Sequence, residues 1–181
     1  MPERKTPEPP QFPAGPFVPV ETRGAGDVQA WIGEIEQAPA RLRRAVSGLS
    51  DAQLDTTYKN WTIRQIVHHL ADSHLNAYIR TRLALTEDRP TIKPYDESRW
   101  AALPDAQRAA VEPSLQLFEG LHARWTHLLR SLRGEAFDRA FYHPETREVV
   151  PLWRMPALYA WHGRHHTAQI EWAKSHKLSL R

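Results

Sequence analysis

Met155-Pro156-Ala157-Leu158-Tyr159-Ala160-Trp161-His162-Gly163-Arg164-His165-His166-Thr167-Ala168-Gln169-Ile170 is the stretch that decides the fold. Met155, Tyr159, His162, His166, Gln169, Ile170 and, beyond them, Ala173 recur at three- and four-residue spacing, which marks one face of an α-helix. The stripe is apolar at both ends, so it points into a helical core and takes His162 and His166 with it. Residues four apart on a helix stand one above the other. An H-x3-H pair therefore turns two imidazoles toward one point, and one helix can grip a metal ion that way. His165 falls to the side of this face, toward Trp161 and Trp172.

A second stretch supplies a third imidazole. Trp61-Thr62-Ile63-Arg64-Gln65-Ile66-Val67-His68-His69-Leu70-Ala71-Asp72-Ser73-His74 opens a helix with Thr62 as N-cap. The helix continues through Ala77 to about Leu85. His69 shares a face with Ile66, Leu70 and Ser73, whereas His68 shares its side with Arg64 and Asp72. Phase therefore favours His69 over His68. A buried imidazole must find a hydrogen-bond partner or a metal, so the alternative for each histidine is a satisfied core residue. Three histidines from two helices would leave one or more coordination positions open to water, as catalytic metal sites do.

The remaining chain reads as the rest of a bundle. Residues 1–26 are rich in proline and glycine and form no helix; the expectation is a partly disordered start and an extended arm carrying Phe12 and Phe17. Residues 27–181 form one domain. Asp27 is the expected N-cap of a first helix, with Trp31, Ile35, Leu42, Val46 and Leu49 inward and a kink or break at Pro39. Ser50-Asp51-Ala52-Gln53 has the form of a capping box and opens a short turn. Residues 86–112 are irregular, with a short helical piece at Pro104-Asp105-Ala106-Gln107. Pro113 and Ser114 open a third long helix with Leu117, Phe118, Leu121, Trp125, Leu128 and Leu132 inward. Residues 139–143 and 147–150 flank Pro144-Glu145-Thr146 as a small β-hairpin. The last helix follows, from Pro151 to about Lys174. The fold class is all-α, a four-helix bundle.

Composition narrows the function. The chain has 181 residues, enough for one domain with a real core. Cysteine is absent, which excludes thiolate ligands, a cysteine nucleophile and disulfides. The net charge is only +3 and the arginines are scattered, so no nucleic-acid partner is expected. The apolar runs are too short for a membrane span, and no apolar stretch follows Met1-Pro2-Glu3-Arg4-Lys5. The expected location is cytoplasmic.

The two histidine stretches resemble the ligand motifs of the DinB/YfiT-like superfamily, most of all its YfiT group of metal-dependent hydrolases. The likeness includes the glutamine three residues after His166. It extends through Ile92-Lys93-Pro94-Tyr95-Asp96-Glu97, Leu121-His122-Ala123-Arg124-Trp125 and Phe141-Tyr142-His143-Pro144, and so covers the body from about Trp31 to Ala173. The resemblance implies a four-helix bundle, a homodimer, and a metal held by His69, His162 and His166.

One departure from other H-x3-H enzymes bears on mechanism. Zinc proteases carry H-E-x-x-H with the glutamate as base, and here Gly163 stands in that place. Asp72 is a candidate orienter of a ligand imidazole, and Gln169 a candidate contact to water or substrate. Tyr95, Asp96 and His143 lie in irregular segments that could roof the site. Three imidazoles suit zinc, nickel, copper or iron; availability favours zinc, with nickel second. Three functions are open: hydrolysis of a small-molecule substrate, transfer of a low-molecular-weight thiol, and a non-enzymatic stress-response role for the metal.

Overall fold

The computed structural model describes residues 7–22 and 24–178. Four long helices carry it: α1 (Ala25–Val46), α3 (Ile63–Thr86), α6 (Glu112–Ser131) and α7 (Arg154–Ala173). Short elements connect them. They are α2 (Asp51–Leu54), the paired β1 (Thr57–Tyr58) and β2 (Trp61–Thr62), α4 (Glu97–Ala101), α5 (Pro104–Arg108), and the hairpin of β3 (Ala140–His143) and β4 (Glu148–Pro151). No described helix is long and apolar enough to cross a membrane.

Caps fix where several of these begin. Ser50 and Thr62 each close a reciprocal capping box, with Gln53 and Gln65. The first helix departs from expectation. It starts at Ala25 with Gly24 as cap, and Asp27 lies inside the first turn, where its charge favours the helix N-terminus. Pro39 does not divide α1, which runs unbroken through it. An interior proline costs about 3 kcal/mol, but Ile32, Ile35 and Leu42 on either side are completely buried, and each such side chain returns about 1.5–3 kcal/mol. Leu117 is a second correction. It is 44% exposed, and Leu115 takes the inward place beside Phe118.

The order of helices around the bundle is α1–α6–α3–α7, since α1 and α3 each pack on both α6 and α7. Consecutive long helices α1 and α3 therefore face each other across a diagonal, as do α6 and α7. Residues 47–62 and 132–153 are long enough to make those diagonal crossings. In the second, the backbone of Tyr142 also bonds to Pro90 and Ile92, tying the hairpin to the segment after α3.

The apolar core is split in two. One half holds Ile32, Ile35, Ala77, Trp125, Leu129, Phe141 and Tyr159. The other holds Leu42, Ile63, Ile66, Leu70, Phe118 and Ile170. Between them, on α3, α6 and α7, sit Ser73, His74, His122, His162, Gly163 and His166. The arm lies against α7, with Phe17 5.6 Å from the Trp161 ring and the Trp161 Nε1–H donating to the Gly15 carbonyl at 2.9 Å.

Candidate metal centre

Helix α7 delivers His162 and His166 to the histidine layer one turn apart, their ring centroids 4.5 Å from each other. The neighbouring helix α3 brings His69. Its ring lies 5.2 Å from His162 and 4.8 Å from His166. One nitrogen from each of the three falls within 4.8 Å of the others. The Nε2 atoms of His69 and His162 are 3.3 Å apart. Two nitrogens bound to one tetrahedral ion at 2.0–2.1 Å stand about 3.3 Å apart, so this pair has the spacing of ligands to a single metal.

Burial sets the charge state. It pushes the His69 imidazole down to about 4. Burial, reinforced by neighbouring imidazoles, holds His162 and His166 well below the ordinary histidine range. All three are neutral at pH 7, with lone pairs free to bind a cation. Their partners choose which nitrogen is free. Gln169 Oε1 accepts from His166 Nδ1–H at 2.8 Å, which leaves His166 Nε2 bare. The amide of Gln169 donates to His165 Nε2 at 2.9 Å. Gln169 thus holds the His166 ring in place.

The second nitrogen of His162 meets a residue that sequence reading did not single out. His162 Nδ1 lies 3.2 Å from His74 Nε2, and His74 Nδ1 lies 3.0 Å from His122 Nε2. His122 Nδ1–H donates to the Phe118 carbonyl at 2.6 Å. Trp61 is another addition. Its ring stacks on His166 at 6.3 Å and packs 4.6 Å from His69, forming a wall of the site.

Other candidates lie elsewhere. His68 bonds Ser114 Oγ at 2.7 Å and faces the α5–α6 junction, as its phase indicates. His165 stacks on Trp161. Asp72 is half-buried, and burial with Asp105 nearby raises its carboxyl to about 6, but it makes no hydrogen bond to the trio. Asp96 caps α4 by accepting from the Arg99 amide at 2.9 Å. Tyr95 packs on Trp100 at 4.5 Å, and burial raises its hydroxyl. His143 accepts from the Thr146 amide and lines a cavity of about 450 Å³ with Arg80, Arg154 and Tyr159. No hydrogen bond or ring contact joins Tyr95, Asp96 or His143 to the three histidines. Gly163 explains the missing zincin glutamate. A Cβ there would lie 3.4 Å from Ala38 and 4.0 Å from His74, so that position faces α1 and not the trio.

Known proteins share this architecture. The DinB superfamily model matches residues 34–170. YfiT of Bacillus subtilis (strain 168), whose name assigns it provisionally as a metal-dependent hydrolase, is 48% identical over 161 residues, covering 88% of this chain and 90% of its own. A protein of Geobacillus thermodenitrificans (strain NG80-2) with the same provisional name is 49% identical over 166 residues, 90% of this chain and 93% of its own. The solved structure of Bacillus subtilis YfiT, described as an unusual four-helix-bundle topology, superposes with a TM-score of 0.88 at 46% identity, covering 91% of this chain and 95% of that one. The crossed order of helices and the shared sequence over nearly the whole body place this chain in the DinB superfamily.

Proposed function

We propose that the chain is a metal-dependent hydrolase whose divalent metal is held by His69, His162 and His166. The observation that carries this reading is the convergence of three neutral imidazoles with no fourth ligating side chain in the group among the described residues. An all-imidazole donor set suits zinc first and nickel second. A zinc ion held by His69, His162 and His166 would supply Lewis acidity and would favour ionisation of water near pH 7. The chain's own contribution is to present and shield. Gln169 fixes the His166 ring, His74 fixes His162, and Trp61 covers one side. Burial keeps the imidazoles unprotonated, so the site is ready at neutral pH. The test is a panel of small esters and amides assayed with zinc, with chelator, and with His166→Ala. Turnover should require zinc and vanish in the variant; turnover indifferent to both would refute the reading.

A second reading is favoured by one observation: among the described residues, no carboxylate hydrogen-bonds to the three histidines or joins their group. Hydrolysis profits from a general base. Transfer of a low-molecular-weight thiol to an electrophile has less need of one, because a bound metal stabilises the thiolate directly. The two readings separate by titrating thiol into the same assay with an electrophilic substrate. Metal-dependent rate that appears only with thiol supports transfer, and rate without thiol supports hydrolysis.

A further inference from the structure

The hydrogen bonds behind His162 can be counted. His162, His74 and His122 form a chain of three imidazoles that ends on a main-chain carbonyl. A carbonyl only accepts, so His122 carries its proton on Nδ1 and its Nε2 is bare. That bare nitrogen accepts from His74 Nδ1–H at 3.0 Å, which leaves His74 Nε2 bare. His74 Nε2 then accepts from His162 Nδ1–H at 3.2 Å. Three hydrogen bonds need three protons, and three neutral imidazoles supply three. The one lone pair left over is on His162 Nε2, the atom that faces His69.

Among the described residues, no other group hydrogen-bonds to the ring nitrogens of His74 or His122. His74 is 0% exposed and His122 is 1% exposed. Phe118, Trp125 and Tyr159 stand edge-on to the His74 ring at 4.9, 6.1 and 4.8 Å. The Trp125 indole N–H is committed to Thr81. We infer that His74 and His122 are positioning residues for the metal. The carbonyl of Phe118, acting through two imidazoles, locks His162 into the tautomer that turns a bare Nε2 toward the trio. The inference rests on the metal reading above, and extends it to a helix, α6, that contributes no ligand.

Removing His122 deletes the acceptor for His74 Nδ1–H. The middle ring is then free to carry its proton on Nε2 and donate it to His162 Nδ1, which puts the His162 proton on the ligand nitrogen. Partners behind a ligand imidazole are worth about 10–100-fold in metal affinity. Zinc affinity should be measured by competition with a chromophoric chelator for wild type, His122→Leu and His122→Gln, each checked for folding by circular dichroism. His122→Leu should lose about 10–100-fold. His122→Gln, whose side-chain oxygen still accepts, should recover most of it. In metal-free wild type, nitrogen-15 NMR of the imidazoles should show His74 and His162 both protonated at Nδ1. A folded His122→Leu with wild-type affinity, or His162 protonated at Nε2 in the wild type, would overturn the inference and leave the metal reading standing. A wild-type chain that takes up no zinc would overturn both. If His122→Leu does not fold, the glutamine variant and the wild-type tautomers still decide the matter.

Discussion

The two apolar halves of the core and the histidine layer between them are built by the same four helices on opposite terms. In the halves, side chains such as Ile32, Leu42, Ile66 and Leu129 are completely buried and need only be packed. In the layer, His69, His74, His122, His162 and His166 are held against their preference for water, and each must be partnered by another ring, a carbonyl, an amide or a cation. The halves make the bundle stable. The layer makes it specific about protonation, because its hydrogen bonds allow only certain tautomers. The difference teaches that removing an apolar residue should change stability alone, while disturbing the layer should change metal binding and acid tolerance.

Acid should break the layer first and with the largest effect. The folded-state pKa values of His69 and His122 are depressed to about 4, and those of His74, His162 and His166 also lie well below normal. An unfolded histidine titrates near 6.5. Between those limits the unfolded chain binds more protons, so stability is fully present above about pH 6.5 and is lost as pH falls toward 4. Urea midpoints of the metal-free protein should drop steeply across that window. A flat profile would mean that the five rings are not desolvated together. Within the apolar half, Leu42→Ala should cost about 2–5 kcal/mol in urea unfolding and leave zinc affinity untouched. A loss of affinity there would erase the distinction between the two regions.

Smaller effects sharpen the same contrast. Gln169→Ala removes the acceptor from His166 Nδ1 and the donor to His165. It should lower zinc affinity by about tenfold in a chelator competition while leaving the fold intact; unchanged affinity would demote Gln169 to a packing residue. His176 stacks on Trp172 outside the layer. His176→Ala should leave affinity unchanged and shift thermal stability by no more than about 0.5 kcal/mol, and differential scanning calorimetry reads that shift.

The trio was legible in the sequence because helical period alone sets which histidines share a face. His162, His166 and His69 follow apolar neighbours at three- and four-residue spacing, and the structure brings them together. The capping box at Ser50, the N-cap at Thr62 and the hairpin over β3 and β4 were legible for the same local reasons. His74 and His122 were not. His74 is five residues from His69, off the ligand face, and His122 is on another helix. Only the packing of α3 on α6 turns those two rings into a chain. Asp27 misled because a good capping residue stood one turn inside a helix that glycine begins. The break expected as one alternative at Pro39 does not occur, because tertiary burial outweighs it.

Metal content tests the central claim most directly. Wild type and His166→Ala should be stripped with chelator, incubated with equimolar zinc, desalted and analysed by inductively coupled plasma mass spectrometry. Wild type should retain about one ion per chain, since three converging imidazoles make one open site, and His166→Ala should retain essentially none. Equal zinc in the two proteins, or none in the wild type, would contradict the assignment of His69, His162 and His166 as a metal centre.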